Sequence, residues 1–148
     1  MSQKENGTCV DKVQKDLKYG VNRETADRIS CHNRHYAERS GYAYRDTEWI
    51  SEIRKTPEDV DIYYDSVTGK PLFRAPIGRS LEEFIKESKS HGWPSFRDEE
   101  VVWENVRVLK DGEVVSVDGT HLGHNLPDWN GNRYCINLVC IAGNAIEN

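Results

Sequence analysis

Towards the C-terminal end of the chain, the stretch HLGHNLPDWNGNRYCIN (121–137) sets His121, His124, Asp128, Arg133, Cys135 and Asn137 within seventeen residues. Residues of these types could ligate a metal, could serve a nucleophilic cysteine, or could simply form a polar loop and strand. If RYCIN is a strand, alternation places Arg133, Cys135 and Asn137 on one face and Tyr134, Ile136 and Leu138 on the other. The apolar set belongs in the core, which leaves Cys135 between a guanidinium and an amide. The cation favours thiolate over thiol and is expected to lower the cysteine pKa. Asn137 can orient or hydrogen-bond a reacting group.

His121 and His124 flank Leu122-Gly123, where the glycine is expected to bend the backbone and turn both imidazoles to one point. Imidazole titrates near neutrality, so one ring can give a proton to a departing oxygen. Asp128 would then hold a ring or a water. A zinc site would need a distant fourth ligand from Cys31, His32 or His35. Arginine beside a zinc thiolate is also electrostatically unfavourable, so cysteine chemistry is preferred and no metal is expected. In a continuous strand RYCINLVCI, Cys140 faces the apolar side roughly 16 Å along from Cys135. A disulfide needs Cα atoms about 4.4–6.8 Å apart, so Cys140 is expected to be a small buried residue.

The elements that must carry these residues follow from pattern. TPEDVDIYYDSVTGKPLF (56–73) holds a strand-like IYY, a turn over Ser66 to Pro71, and Leu72-Phe73. In GRSLEEFIKESKSHG (78–92), Ser80 and Glu83 have capping-box spacing. Leu81, Phe84 and Ile85 form one face and Gly92 is a stop, which predicts a helix. VVWENVRVLKDGEVVSV (101–117) predicts two strands around Asp111-Gly112. In residues 1–35, Val10, Val13 and Leu17 have helical spacing, so this segment is a short amphipathic helix or a loose arm. The fold class is mainly β, with one to three short helices, in a single domain over residues 1–148.

The length of 148 residues and the fourteen aromatic side chains are enough for one real core. A net charge of -5 gives no footprint for nucleic acid. No apolar run approaches the roughly 20 residues of a membrane helix, and the N-terminal MSQKENGTCVDKVQKD has no apolar leader core. A cytoplasmic monomer is expected, without membrane or nucleic-acid partners. Cys9, Cys31, Cys135 and Cys140 form no CxxC pair, which in that compartment suggests reduced thiols.

In combination and in this order, TGKPLF (68–73), GWPSF (92–96), GTHLGH (119–124), Asp128 and RYCIN (133–137) resemble the methionine-R-sulfoxide reductases of the MsrB type. The resemblance spans about residues 62–141. It implies two antiparallel sheets and reduction of methionine R-sulfoxide by a cysteine that passes through a sulfenic acid. It makes Cys135 the nucleophile, His124 the acid on the sulfoxide oxygen and His121 its support. Asp128 and Asn137 would fix water and polar contacts, and Arg133 would favour the thiolate. Trp93, with Phe96 of the same motif, would form the apolar wall for the S-methyl group.

Many members of that family hold a structural zinc on two CxxC pairs. Here Asp65, Thr68, Val115 and Asp118 stand at those positions, so no such zinc is expected. The usual position of a resolving cysteine, just before Gly92-Trp93, is His91. The candidates for that role are Cys31, whose neighbours His32, Arg34, His35 and Arg39 would lower its pKa, Cys9, or an external thiol. The resemblance implies thioredoxin or another thiol as final reductant, and no cofactor. Two other functions compete: a non-catalytic module that binds methionine sulfoxide or a peptide, and a Cys/His metal-binding protein.

Overall fold

The computed structural model describes residues 12–31 and 37–146. It is mainly β, with the two antiparallel sheets that were expected. Strands β1 (Asp61–Tyr64) and β2 (Pro71–Ala75) form a two-stranded sheet. The second sheet contains β3 (Ser95–Phe96), β4 (Val106–Val108), β5 (Glu113–Ser116), β6 (His121–Asn125) and β7 (Tyr134–Ile136), in the spatial order β3-β7-β6-β5-β4. Four short α-helices are described, one above the expected range: α1 (Arg23–Cys31), α2 (Tyr42–Arg45), α3 (Trp49–Arg54) and α4 (Leu81–His91). Among the described residues, no helix is long and apolar enough to cross a membrane.

Local chemistry sets the elements that bring chain to the site. Ser80 caps α4: its Oγ accepts from the Glu83 N–H at 3.1 Å, and the Glu83 carboxylate accepts from the Ser80 N–H at 2.8 Å. Such caps contribute about 1 kcal/mol. The helix stops at Gly92, whose φ of 93° is left-handed; a Cβ there would lie 2.0 Å from Ser40 Oγ. Ser88 on the last turn accepts from the Ser95 N–H at 3.0 Å, steering the chain from helix into β3. The β4–β5 hairpin turns at Asp111-Gly112 as expected, with the Asp111 carboxylate accepting from the Glu113 N–H.

The core joins the two sheets through aromatic rings. Phe73 of β2 stacks on Phe96 of β3 at 4.4 Å between centroids, and Tyr63 and Phe84 each lie 5.3 Å from Phe96. Trp49 meets Phe84 edge-on. Truncating a fully buried phenylalanine such as these costs about 3–5 kcal/mol. Val13, Ala26 and Ile29 belong to the same core, and α1 packs on β6 and on the turn that follows β7.

Two expectations change. The final strand is not RYCINLVCI: β7 ends at Ile136, and Leu138–Cys140 form a 3-10 turn. Cys140 is still buried, but because the chain turns it into the core rather than by strand alternation. Residues 12–17 are not helical; the first α-helix begins at Arg23, and Val10 lies outside the described residues. Protein contacts join the turns that carry Asp65 and Asp118. Thr120 Oγ1 donates to Asp65 at 3.0 Å, and Lys70 pairs with Asp118 at 3.0 Å.

Candidate functional site

Cys135 lies at the middle of β7, between two strands. Its register partners are Ser95 on β3 and His124 on β6. Direct partners across an antiparallel pair share a face, so His124 and Ser95 both flank the thiol. Ser95 Oγ is 3.9 Å from Cys135 Sγ. The Arg133 guanidinium, two residues back on the same face as alternation required, donates from Nη1 to Sγ at 2.8 Å.

Cys135 and His124 open onto a cavity of about 180 Å³ that is also lined by Trp93, His121, Gly123, Leu126, Asn137 and Ala37. That is below the roughly 300–1,000 Å³ of drug-sized ligand sites, so it fits one side chain. Trp93 and Leu126 supply apolar wall, while the imidazoles, the thiol and an amide supply the polar part.

Gly123 does not bend the strand. Its backbone is extended, and a Cβ there would lie 2.0 Å from the Cys135 carbonyl oxygen. Glycine is needed because β6 approaches β7 closely at this point.

The two histidines differ in their support. His121 is buried, with Nδ1 2.7 Å from Glu113 Oε2, which leaves Nε2 for another partner. A carboxylate on one ring nitrogen fixes the tautomer and the ring's orientation. His124 is half-buried, and its Nε2 is 3.1 Å from the Asp111 carbonyl.

Asn137 is committed at both ends of its amide. Its Nδ2 donates to the Leu122 carbonyl at 2.9 Å, and its Oδ1 accepts from the Glu38 N–H at 2.9 Å. Asp128 holds neither His121 nor His124, whose rings meet Glu113 and the Asp111 carbonyl. It takes two hydrogen bonds from Arg97 at 3.1 Å each, which with the nearby Arg133 hold its carboxyl at about 2. It stands 3.7 Å from Arg133 Nε, and Arg97 continues the chain of charges to Glu87.

Electrostatics at the thiol run opposite to the expectation. Burial raises the Cys135 pKa more than Arg133 lowers it, so the thiol sits above its ordinary value. Cys135 is 7% exposed, and desolvating a thiolate outweighs one guanidinium.

Phe96 is not a wall of the cavity. It lies wholly in the aromatic core, because in a two-residue strand it must face opposite Ser95.

Cys31 ends α1, is buried and is disulfide-bonded, whereas Cys135 and Cys140 are not in a disulfide. The expectation of reduced thiols fails at Cys31, which must first be reduced before it can resolve anything. Arg39, one of its supposed activators, is ion-paired with Asp46. His32, Arg34, His35 and Cys9 lie outside the described residues.

Among the described residues, one group could gather on a cation: Glu87, His91 and Asp128. Arg97 already hydrogen-bonds both carboxylates of that group, so a cation there would meet a guanidinium. His121, His124 and Cys135 do not form such a group.

Sequence reasoning missed Glu38, Ser95, Arg97 and Glu113. Arg97 directly follows GWPSF and could have been noticed. Glu113 is invisible because a bulge between Val114 and Val115 sets its distance to His121. No family model and no solved structure matches the chain.

Proposed function

We propose that the chain reduces methionine R-sulfoxide to methionine with Cys135 as the nucleophile. One observation carries this: a thiol held 2.8 Å from a guanidinium in a side-chain-sized cavity whose other walls are an indole, two imidazoles and an amide. A methyl sulfoxide has the complementary shape, with an apolar methyl for Trp93 and a strongly accepting oxygen for the imidazoles. The resemblance in TGKPLF, GWPSF, GTHLGH and RYCIN supports the same chemistry.

The step balances as oxygen transfer. Cys135 Sγ attacks the sulfoxide sulfur while His121, backed by Glu113, protonates the oxygen from Nε2. The thiol proton replaces the one given up, the sulfur–oxygen bond of the substrate breaks, and the oxygen ends on Cys135. Thiol plus sulfoxide thus gives sulfenic acid plus thioether. Two equivalents of an external thiol, thioredoxin or a small dithiol, then return Cys135 to the thiol, with release of water and formation of a disulfide. Burial pushes the Cys135 thiol up despite Arg133, which favours proton donation and nucleophilic attack acting together over attack from a preformed thiolate.

The test is an assay with resolved R and S methionine sulfoxides and dithiothreitol. Consumption of the R epimer alone, abolished by Cys135→Ser, is expected. Activity that survives this substitution, or a wild-type protein inert on both epimers, overturns the proposal.

A further inference from the structure

Glu38 reaches the site from a part of the chain about a hundred residues away from Cys135. It is 3% exposed and makes four hydrogen bonds into the machinery around the cavity. Its carbonyl accepts from the Trp93 indole N–H at 3.0 Å. Its N–H donates to Asn137 Oδ1 at 2.9 Å. Its carboxyl oxygens accept from the N–H groups of Leu138 at 3.0 Å and Val139 at 3.3 Å. Ala37, its neighbour, lines the cavity itself.

These bonds divide into two sets. The backbone pair touches two side chains that line the cavity, Trp93 and Asn137. The side-chain pair does something else: it satisfies the N–H groups left open where β7 ends and the 3-10 turn begins. The carboxyl is therefore an anchor, and the backbone it anchors sets the positions of the indole and the amide. We propose that Glu38 is the positioning residue of the cavity, fixing Trp93 and Asn137 relative to Cys135 and thereby setting the choice between sulfoxide epimers. The epimer part rests on the proposed reductase activity, whereas the positioning part does not.

The stereochemical consequence is direct. R and S sulfoxides exchange methyl and oxygen around the same sulfur. A site separates them only if its apolar wall and its polar groups are fixed with respect to each other. Glu38 is bonded to one of each. A displacement of about 1 Å in such groups costs up to about a hundredfold in rate.

The experiment uses Glu38→Ala and the milder Glu38→Gln, whose amide carbonyl still accepts from Leu138. The indole N–H signals of Trp93 and Trp49 are followed by NMR in the full chain, with Trp93→Phe assigning the first. Trp49 donates to the Tyr63 hydroxyl and reports on the core.

In Glu38→Ala the Trp93 indole proton is expected to shift and to exchange faster with water while the Trp49 signal stays. The R-over-S preference is expected to fall by about tenfold, with Glu38→Gln in between. An unmoved Trp93 signal in a folded variant overturns the proposal. So does the loss of Trp93 and Trp49 signals together in both variants, or a kcat that falls with the epimer preference intact. Were the wild type to reduce neither epimer, the reductase reading would fall together with the epimer part, and the indole signals alone would still decide whether Glu38 positions the cavity.

Discussion

Cys135 and Cys140 are five residues apart, neither is disulfide-bonded and both are almost wholly enclosed, yet they occupy different chemical surroundings. Cys140 lies inside the apolar core, at 0% exposure. Cys135 borders a cavity, touches a guanidinium and stands across the sheet from an imidazole. Burial alone does not separate the two. The separation comes from a change of backbone at Asn137, where the strand gives way to a 3-10 turn and the next side chains are directed into the core. Glu38 holds that change in place, so the contrast between the cysteines depends on a residue that is distant in sequence from both.

The largest expected effect tests the contrast itself. In the native protein, iodoacetamide should modify Cys135 more than about a hundredfold faster than Cys140, because only opening of the core exposes the latter. Equal labelling measured by peptide mass spectrometry would break the comparison. A smaller effect isolates the cation. Arg133→Ala removes the donor at 2.8 Å, so the Cys135 pKa rises further and its alkylation at pH 8 slows several-fold. An unchanged pH–rate profile would show that the guanidinium is not what distinguishes the site.

The smallest effect concerns the turn. Burial raises the Glu38 carboxyl to about 8 despite its two N–H bonds. A carboxyl whose folded pKa lies above its unfolded value favours the fold fully below the unfolded pKa of 4.5, and the contribution is lost as pH rises through about 8. Thermal stability should therefore decline from this group between those limits. Glu38→Gln, which cannot ionise, should flatten the decline in melting temperature across that window; a slope identical to the wild type would refute it.

Much of the scaffold was legible because it is local. The Ser80–Glu83 box, the Gly92 stop and the Asp111-Gly112 turn each depend on groups within a few residues, and all three are formed. The shared face of Arg133 and Cys135 also follows from strand alternation alone. Phe96 was assigned to the cavity by its motif, but β3 pairing turns Ser95 towards the thiol and Phe96 into the core. Asp128 was given to a histidine or a water, and the partner that no local pattern announced is Arg97, through two charge-assisted hydrogen bonds. Cys31 looked like an activated thiol from its basic neighbours, yet it is buried and disulfide-bonded.

By itself the sequence determined the mainly β class, the helix and hairpin boundaries near the site, and the row that puts Arg133 beside Cys135. Those features rest on backbone periodicity and short-range hydrogen bonds, which neighbouring residues dictate. Only the tertiary structure decided that burial outweighs the guanidinium at the thiol. It also decided that Glu113 supports His121, and that Glu38 ties Trp93 to Asn137. Desolvation and contacts between distant segments depend on how the whole chain packs, and no local pattern encodes that.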